Sequence, residues 1–219
     1  LINLEISELP NLSELNIYSN TDLTTLDISE FPNLSELNIS STDITTLDIS
    51  ELPSLRSLII QNNEDLTTIS PFQGLSNIDS LSIIGNTSIE NMTFSGLQNL
   101  SYLLFEKNSS IQYFPDPSGI QNLVDLIIYN NSGITSLDIS GLQNLSYLTL
   151  ENNNNLSSLN LSELPSLNTL SIEGCYDIIS LEISEFPNLS YVTLADNTNL
   201  TNLQISELSN LHTLIIDRN

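Results

Sequence analysis

Leu123-Val124-Asp125-Leu126-Ile127-Ile128-Tyr129-Asn130-Asn131 is the stretch that decides how this chain folds. Apolar residues hold its first, fourth and sixth places, and an Asn closes it at the ninth. The same pattern begins at Leu12, Leu34, Leu55, Ile78, Leu100, Leu145, Leu167, Leu189 and Leu211, in steps of 21 to 23 residues. The ninth place is filled by Asn20, Thr42, Asn63, Asn86, Asn108, Asn131, Asn153, Cys175, Asn197 and Asn219. A short apolar unit repeated at a fixed period cannot bury its own face, so neighbouring coils must stack and share a core. The expectation is a solenoid of about ten coils forming one elongated domain over residues 1–219. At ~4.8 Å per coil it is roughly 45 Å long.

Within the unit, Leu126 and Ile128 alternate with Ile127, which marks a short strand with inward and outward side chains. Stacked coils turn these strands into a parallel sheet. The Asn column follows from hydrogen-bond accounting. Where the chain leaves the strand, backbone groups lose their partners and are costly to bury unpaired. An Asn side chain offers both donors and acceptors. Thr42 replaces it in part, and Cys175 is a small filler. Asn152, one place before the column, is expected to face solvent and to be dispensable. The second half of the repeat reads Leu23-Thr24-Thr25-Leu26-Asp27-Ile28-Ser29-Glu30-Phe31-Pro32-Asn33. Its Thr and Ile favour extended backbone, and Pro marks the corner into the next coil.

L-x-x-L-x-L-x-x-N with Asn, Thr or Cys in the last place is the leucine-rich-repeat signature, and the chain resembles bacterial leucine-rich-repeat proteins along its whole length. The nested second half resembles the subclass called IRREKO repeats. Leu66-Thr67-Thr68-Ile69-Ser70-Pro71-Phe72-Gln73-Gly74-Leu75-Ser76-Asn77 is similar to the internalin repeat of bacterial invasion proteins. The resemblance implies a right-handed leucine-rich-repeat solenoid with a parallel β-sheet on its concave face. Short extended or 3-10 segments, or second strands, are implied opposite, with little or no α-helix. It implies nothing about a partner, because the repeated residues are the buried ones. Other coils carry Leu-Asp-Ile-Ser where internalins have a Pro-containing turn, so internalin partners are not carried over.

Twenty-seven acidic residues stand against three basic ones, Arg56, Lys107 and Arg218, for a net charge of −24. Nucleic acid and anionic membrane surfaces need clustered Lys and Arg, so neither is an expected partner. No apolar run approaches the about 18 residues of a membrane span. One cysteine allows no internal disulfide, and its place in the Asn column suits a buried thiol. Sequons at Asn11, Asn33, Asn99, Asn144 and Asn188 arise because Pro-Asn-Leu-Ser and its relatives recur at the coil corner. Neither end carries an atypical capping coil, so the chain is expected to be part of a longer protein.

Chemistry-bearing residues are few. The single His212 and the inward Cys175 assemble no nucleophilic dyad or triad, and zinc would need clustered His and Cys. The expectation is a protein without enzymatic activity or cofactor. Acidic columns repeat at Glu8, Glu30, Glu51, Glu163, Glu185 and Glu207 and at Asp22, Asp43 and Asp65. Calcium is the one ion they suggest, but carboxylates alone specify no calcium loop.

The outward strand positions vary from coil to coil. They place Ile59, Ile84, Tyr102, Leu104, Ile127, Tyr129 and Tyr147 near mid-sheet on the solvent side. An exposed apolar patch rimmed by polar residues marks an interaction site, and Tyr supplies contact area with a polar tip. The leading expectation is a noncatalytic recognition module of a microbial surface or secreted protein, extracellular, binding a protein or a cell-surface glycan. Two alternatives are a structural spacer that displays another domain, and an ice-binding solenoid using Thr25, Thr46 and Thr68. Asp27 and Asp48 among those threonines count against ice.

Overall fold

Ten parallel strands, one per coil, form a single long sheet in a computed structural model that describes residues 1–219. They are Glu14–Asn20, Glu36–Thr42, Ser57–Gln61, Ser80–Ile84, Tyr102–Glu106, Asp125–Tyr129, Tyr147–Glu151, Thr169–Glu173, Tyr191–Ala195 and Thr213–Asp217. Each pairs in register with the next coil, so Leu103, Leu126, Leu148 and Leu170 stand side by side. The opposite side carries only short ladders. Asn3–Leu4 pairs with Thr25–Leu26, Thr46–Leu47 with Thr68–Ile69, Ser136–Asp138 with Ser158–Asn160, and Ser180–Ser184 with Asn202–Ser206. The one helical turn is a 3-10 turn at Pro117–Gly119, capped by the Asp116 carboxylate accepting from the Ser118 N–H at 2.9 Å.

Inward residues of both halves make one apolar cluster of 52 buried residues running from Ile17 to Leu194. The half-buried Phe114 packs on its Phe94 and Phe105, with ring centroids 5.4 and 5.7 Å away. Each fully buried Leu or Ile there contributes about 1.5–3 kcal/mol relative to exposure.

The ninth-place Asn residues bond in a fixed way. The Asn131 Oδ1 accepts from the Asn108 backbone N–H at 3.0 Å, and its Nδ2 donates to the Phe105 carbonyl at 2.7 Å. Asn63, Asn86, Asn108, Asn153 and Asn197 repeat the donor half toward Ile39, Ile60, Ile83, Ile128 and Ile172. The backbone carbonyl of the same residue accepts from the N–H three places on, as Asn20 does from Leu23, which makes it the first residue of a β-turn. From Thr42 onward, each ladder side chain except Cys175 thus ties two coils together, while Asn20 donates only to the Tyr18 carbonyl of its own coil at 3.0 Å. Asn20 and Asn219, in the first and last coils, are less covered than the rest. Cys175 interrupts the scheme: its N–H donates to Asn197 Oδ1 at 3.0 Å, but its Sγ reaches only the Glu173 carbonyl at 3.6 Å.

A second Asn column lies at the Pro corner. Asn33, Asn77, Asn188 and Asn210 each donate Nδ2 to the carbonyl of Pro10, Pro53, Pro165 and Pro187 in the coil before. Asn99, Asn122 and Asn144 do the same toward Ser76, Gln98 and Gln121. Four of the five sequon residues, Asn33, Asn99, Asn144 and Asn188, are therefore hydrogen-bonded between coils.

The place before the buried ladder is special in every coil. Ser19, Ser41, Asn62, Lys107, Asn130, Asn152, Asp196 and Arg218 have φ between 50° and 57°, and Gly85 and Gly174 share the place at 65° and 61°. The chain needs a left-handed residue here to turn off the strand, a conformation that Gly and Asn adopt at least cost. This corrects the expectation for Asn152, which is half-buried with φ 54°. Glu8, Glu163, Glu185 and Glu207 are also left-handed, at 60°, 59°, 63° and 57°, so part of the acidic corner column occupies a backbone-strained position.

Candidate docking face

The first, fourth and sixth residues of each strand motif face the core, which leaves the third, fifth and seventh on the open side of the long sheet. In three consecutive coils these positions read Tyr102-Leu104-Glu106, Asp125-Ile127-Tyr129 and Tyr147-Thr149-Glu151. Strand register sets them out as a grid. Asp125 lies between Tyr102 and Tyr147, and Tyr129 lies between Glu106 and Glu151. Leu104, Ile127 and Thr149 form the middle row. Neighbours along a row are about 4.8 Å apart, and the outer rows are separated by about 13 Å.

Strand register sets the spacing of the residues expected to form the apolar patch. Tyr102, Leu104, Ile127 and Tyr129 are half-buried, and Tyr147 is 48% exposed. Ile84 sits at the rim beside Glu106. Ile59 is cut off from Leu104 by Ser82, so it stands outside the cluster. The face is therefore a small apolar row flanked by alternating tyrosines and carboxylates. The acidic members were not singled out from the sequence, although their positions in the motif were. At the sheet's other end, Asn38 Nδ2 donates to the Tyr18 hydroxyl at 3.1 Å and that hydroxyl donates to Asn16 Oδ1 at 2.7 Å. Asn38 Oδ1 is buried without a partner.

The three acids differ electrostatically. The Glu106 carboxylate is paired with the Lys107 ammonium at 2.8 Å, which holds that lysine above its ordinary pKa. Glu151 accepts only a 3.3 Å bond from Asn152. Burial among the tyrosines pushes the Asp125 carboxyl above its usual range, with no cation or donor in reach to offset it. Burial, and then the Asp125 charge, raises the Tyr102 phenol as well.

The leucine-rich repeat domain of the type III effector XopL superposes on 94% of this chain and 69% of its own, at TM-score 0.64 and 23% identity. This chain folds as a leucine-rich-repeat solenoid. TLR13, solved in complex with a single-stranded RNA, matches 93% of the chain at TM-score 0.55 and 26% identity, and the match spans 30% of the TLR13 chain. An internalin from Listeria monocytogenes matches at TM-score 0.46 and 17% identity over 92% of this chain and 86% of that one. No protein-family model and no curated protein matches the sequence.

Elsewhere on the leucine-rich-repeat scaffold the chemistry is sparse. Cys175 is fully buried and its thiol is pushed up to about 11 by burial, so the unreactive protonated form dominates. The His212 imidazole is exposed, with Nδ1 2.6 Å from the Asn210 carbonyl. No three His, Cys, Asp or Glu side chains converge on a common point, and no helix is long and apolar enough to cross a membrane. Asp27 and Asp48 accept from the N–H and hydroxyl of Ser29 and Ser50. Those bonds, the backbone one first, lower both carboxyls and show what Leu-Asp-Ile-Ser is for: the Asp closes the corner turn. The outer threonine row of Thr25, Thr46 and Thr68 gives way to Tyr113, which is 68% exposed and forms a single parallel bridge to Ser136.

Proposed function

We propose that the protein is a noncatalytic protein-interaction module, carried by a microbial surface or secreted protein, that docks its partner on the open face of the long sheet. The observation that carries this reading is the grid over residues 102–151. The repeat fixes every inward position as Leu, Ile, Val or Phe, yet here the free outward positions gather three tyrosines around an apolar row. Stacking the coils requires none of them. Aromatic residues near the centre of an interface dominate its energetics, and a rigid sheet presents them at little entropy cost.

The test places a bulky maleimide adduct on the grid through Thr149→Cys, with Ser158→Cys on the outer ladder as control. Cys175 stays unlabelled because its thiol is buried and protonated. A surface-extract protein that is captured by unlabelled and Ser158-labelled protein, but not by Thr149-labelled protein, supports the face. Equal capture by the two labelled forms contradicts it.

A further inference from the structure

The docking reading leaves open what chemistry the face selects, and the grid answers more than its apolar row. Asp125 is a half-buried carboxylate flanked by two phenol rings, and it accepts no hydrogen bond from the protein. Such a group is costly to hold in place unless a cation reaches it. On the next coil Glu151 has Tyr129 beside it and only one long bond from Asn152. Glu106, by contrast, already holds the Lys107 ammonium. The grid thus has one acid occupied by the chain's own lysine and two left without a cation.

We propose, resting on the docking reading above, that the face takes an extended partner segment with two Lys or Arg side chains four residues apart. One cation lies on Asp125 between the rings of Tyr102 and Tyr147, and the other on Glu151 beside Tyr129. Each is held by a carboxylate and by an aromatic face, and a cation over a phenol ring is attracted by the ring quadrupole. The spacing follows from the sheet. Asp125 and Glu151 are one coil and four residues apart, about 14 Å on the diagonal, while four residues of extended chain span about 13 Å on one face. The Leu104–Ile127 row lies beside that path and accommodates a small apolar residue between the cations.

Charge balance favours the same partner. With 27 acids and three basic residues, the protein draws cationic segments from a distance. Lys107 and Arg218 are already spent on internal pairs with Glu106, Asp196 and Asp217. A metal ion fits less well. Glu106 and Glu151 are two coils apart, about 10 Å, too far for one ion whose ligands lie at about 2.3–2.6 Å.

The probe is acetyl-Arg-Thr-Ala-Thr-Arg-amide, titrated at about 150 mM NaCl and followed by NMR. Its comparators are a same-composition peptide with adjacent arginines and a peptide with both arginines replaced by neutral citrulline. The expected result is saturable shifts at Tyr102, Tyr129 and Tyr147, with affinity reduced fivefold or more by Asp125→Asn, by Glu151→Gln, by adjacent arginines and by citrulline. Glu185→Gln removes the same charge at a distant corner and changes affinity less than twofold. Equal losses for Glu185→Gln and Asp125→Asn reduce the effect to bulk attraction and overturn the proposal, as does absence of shifts at the tyrosines. If citrulline binds as tightly as arginine, the cation chemistry falls while the face survives. If the Thr149 adduct leaves partner capture intact, the face itself falls.

Discussion

Leu126 and Asp125 are neighbours in sequence, yet they belong to regions under opposite rules. The inward side of the long sheet is an apolar column, buried in the inner coils and open only in the first and last, that varies little over ten coils. The outward side changes from Glu14 and Glu36 through Tyr102, Asp125 and Tyr147 to Thr169 and Tyr191. A period of two residues is enough to separate them: one set of side chains makes the fold and the other is free to be recognised. The comparison teaches that in such a repeat the conspicuous pattern describes stability, and the departures from it describe use.

The widest contrast lies within one strand. Leu126→Ala leaves a cavity in the stacked core and is expected to cost about 2–5 kcal/mol. Ile127→Thr, next to it on the open side, is expected to change stability by about 0.5 kcal/mol. Urea unfolding of the two variants checks the difference, and similar losses would mean that the inward and outward assignments are not distinct.

The two Asn columns sharpen the same point, since both tie coils together through Nδ2 but only one is buried. Asn108→Ala strands the Asn86 N–H and the Ile83 carbonyl away from water, at an expected cost of about 1–3 kcal/mol. Asn99→Ala exposes the Ser76 carbonyl to solvent and should cost about 0.5 kcal/mol or less. Thermal melts on matched samples separate these values.

Backbone conformation gives the next effect. Asn152→Ala forces a Cβ-bearing residue without a polar side chain into a left-handed position, expected to cost about 1 kcal/mol. Asn152→Gly should be nearly neutral, as Gly85 and Gly174 show by occupying the same place. Equal losses for Ala and Gly would point instead to the Asn152 side chain. Of similar size but opposite sign, Cys175→Asn supplies the missing ladder bonds to the Leu150 carbonyl and the Asn153 N–H. It should raise stability by about 1 kcal/mol, whereas a drop in the urea midpoint would show that the site lacks room for the amide.

These contrasts also show what the sequence made legible. Coil number, the long sheet, the short strands opposite and the near absence of helix follow from ten recurrences of Leu, Ile and Asn, because burial imposes a period that single substitutions do not hide. The left-handed place before the ladder did not stand out, since Ser, Asn, Lys, Asp, Arg and Gly share it and no one residue type marks it. Nor did the corner Asn ladder, whose bonds run to main-chain carbonyls that have no signature. At the face, the tyrosines drew attention as large apolar residues. The acids between them read as ordinary surface charge until strand register set Asp125 between Tyr102 and Tyr147.

Asp125 itself supplies the most direct test. Its carboxyl is raised in the folded protein by burial, so the native state binds that proton more tightly than the unfolded chain does. Its stabilising contribution is therefore present below the unfolded value near 3.9 and lost as pH rises through the folded value. At neutral pH the ionised carboxylate is a net cost. With its partial exposure and solvent screening that cost is less than about 1 kcal/mol. If the face is kept for recognition, Asp125→Asn must unfold at a higher urea concentration than the native sequence at pH 7, and the gap must close below about pH 4. A lower midpoint for Asp125→Asn at pH 7 would show that the carboxylate supports the fold, and would contradict the division between the two sides of the sheet.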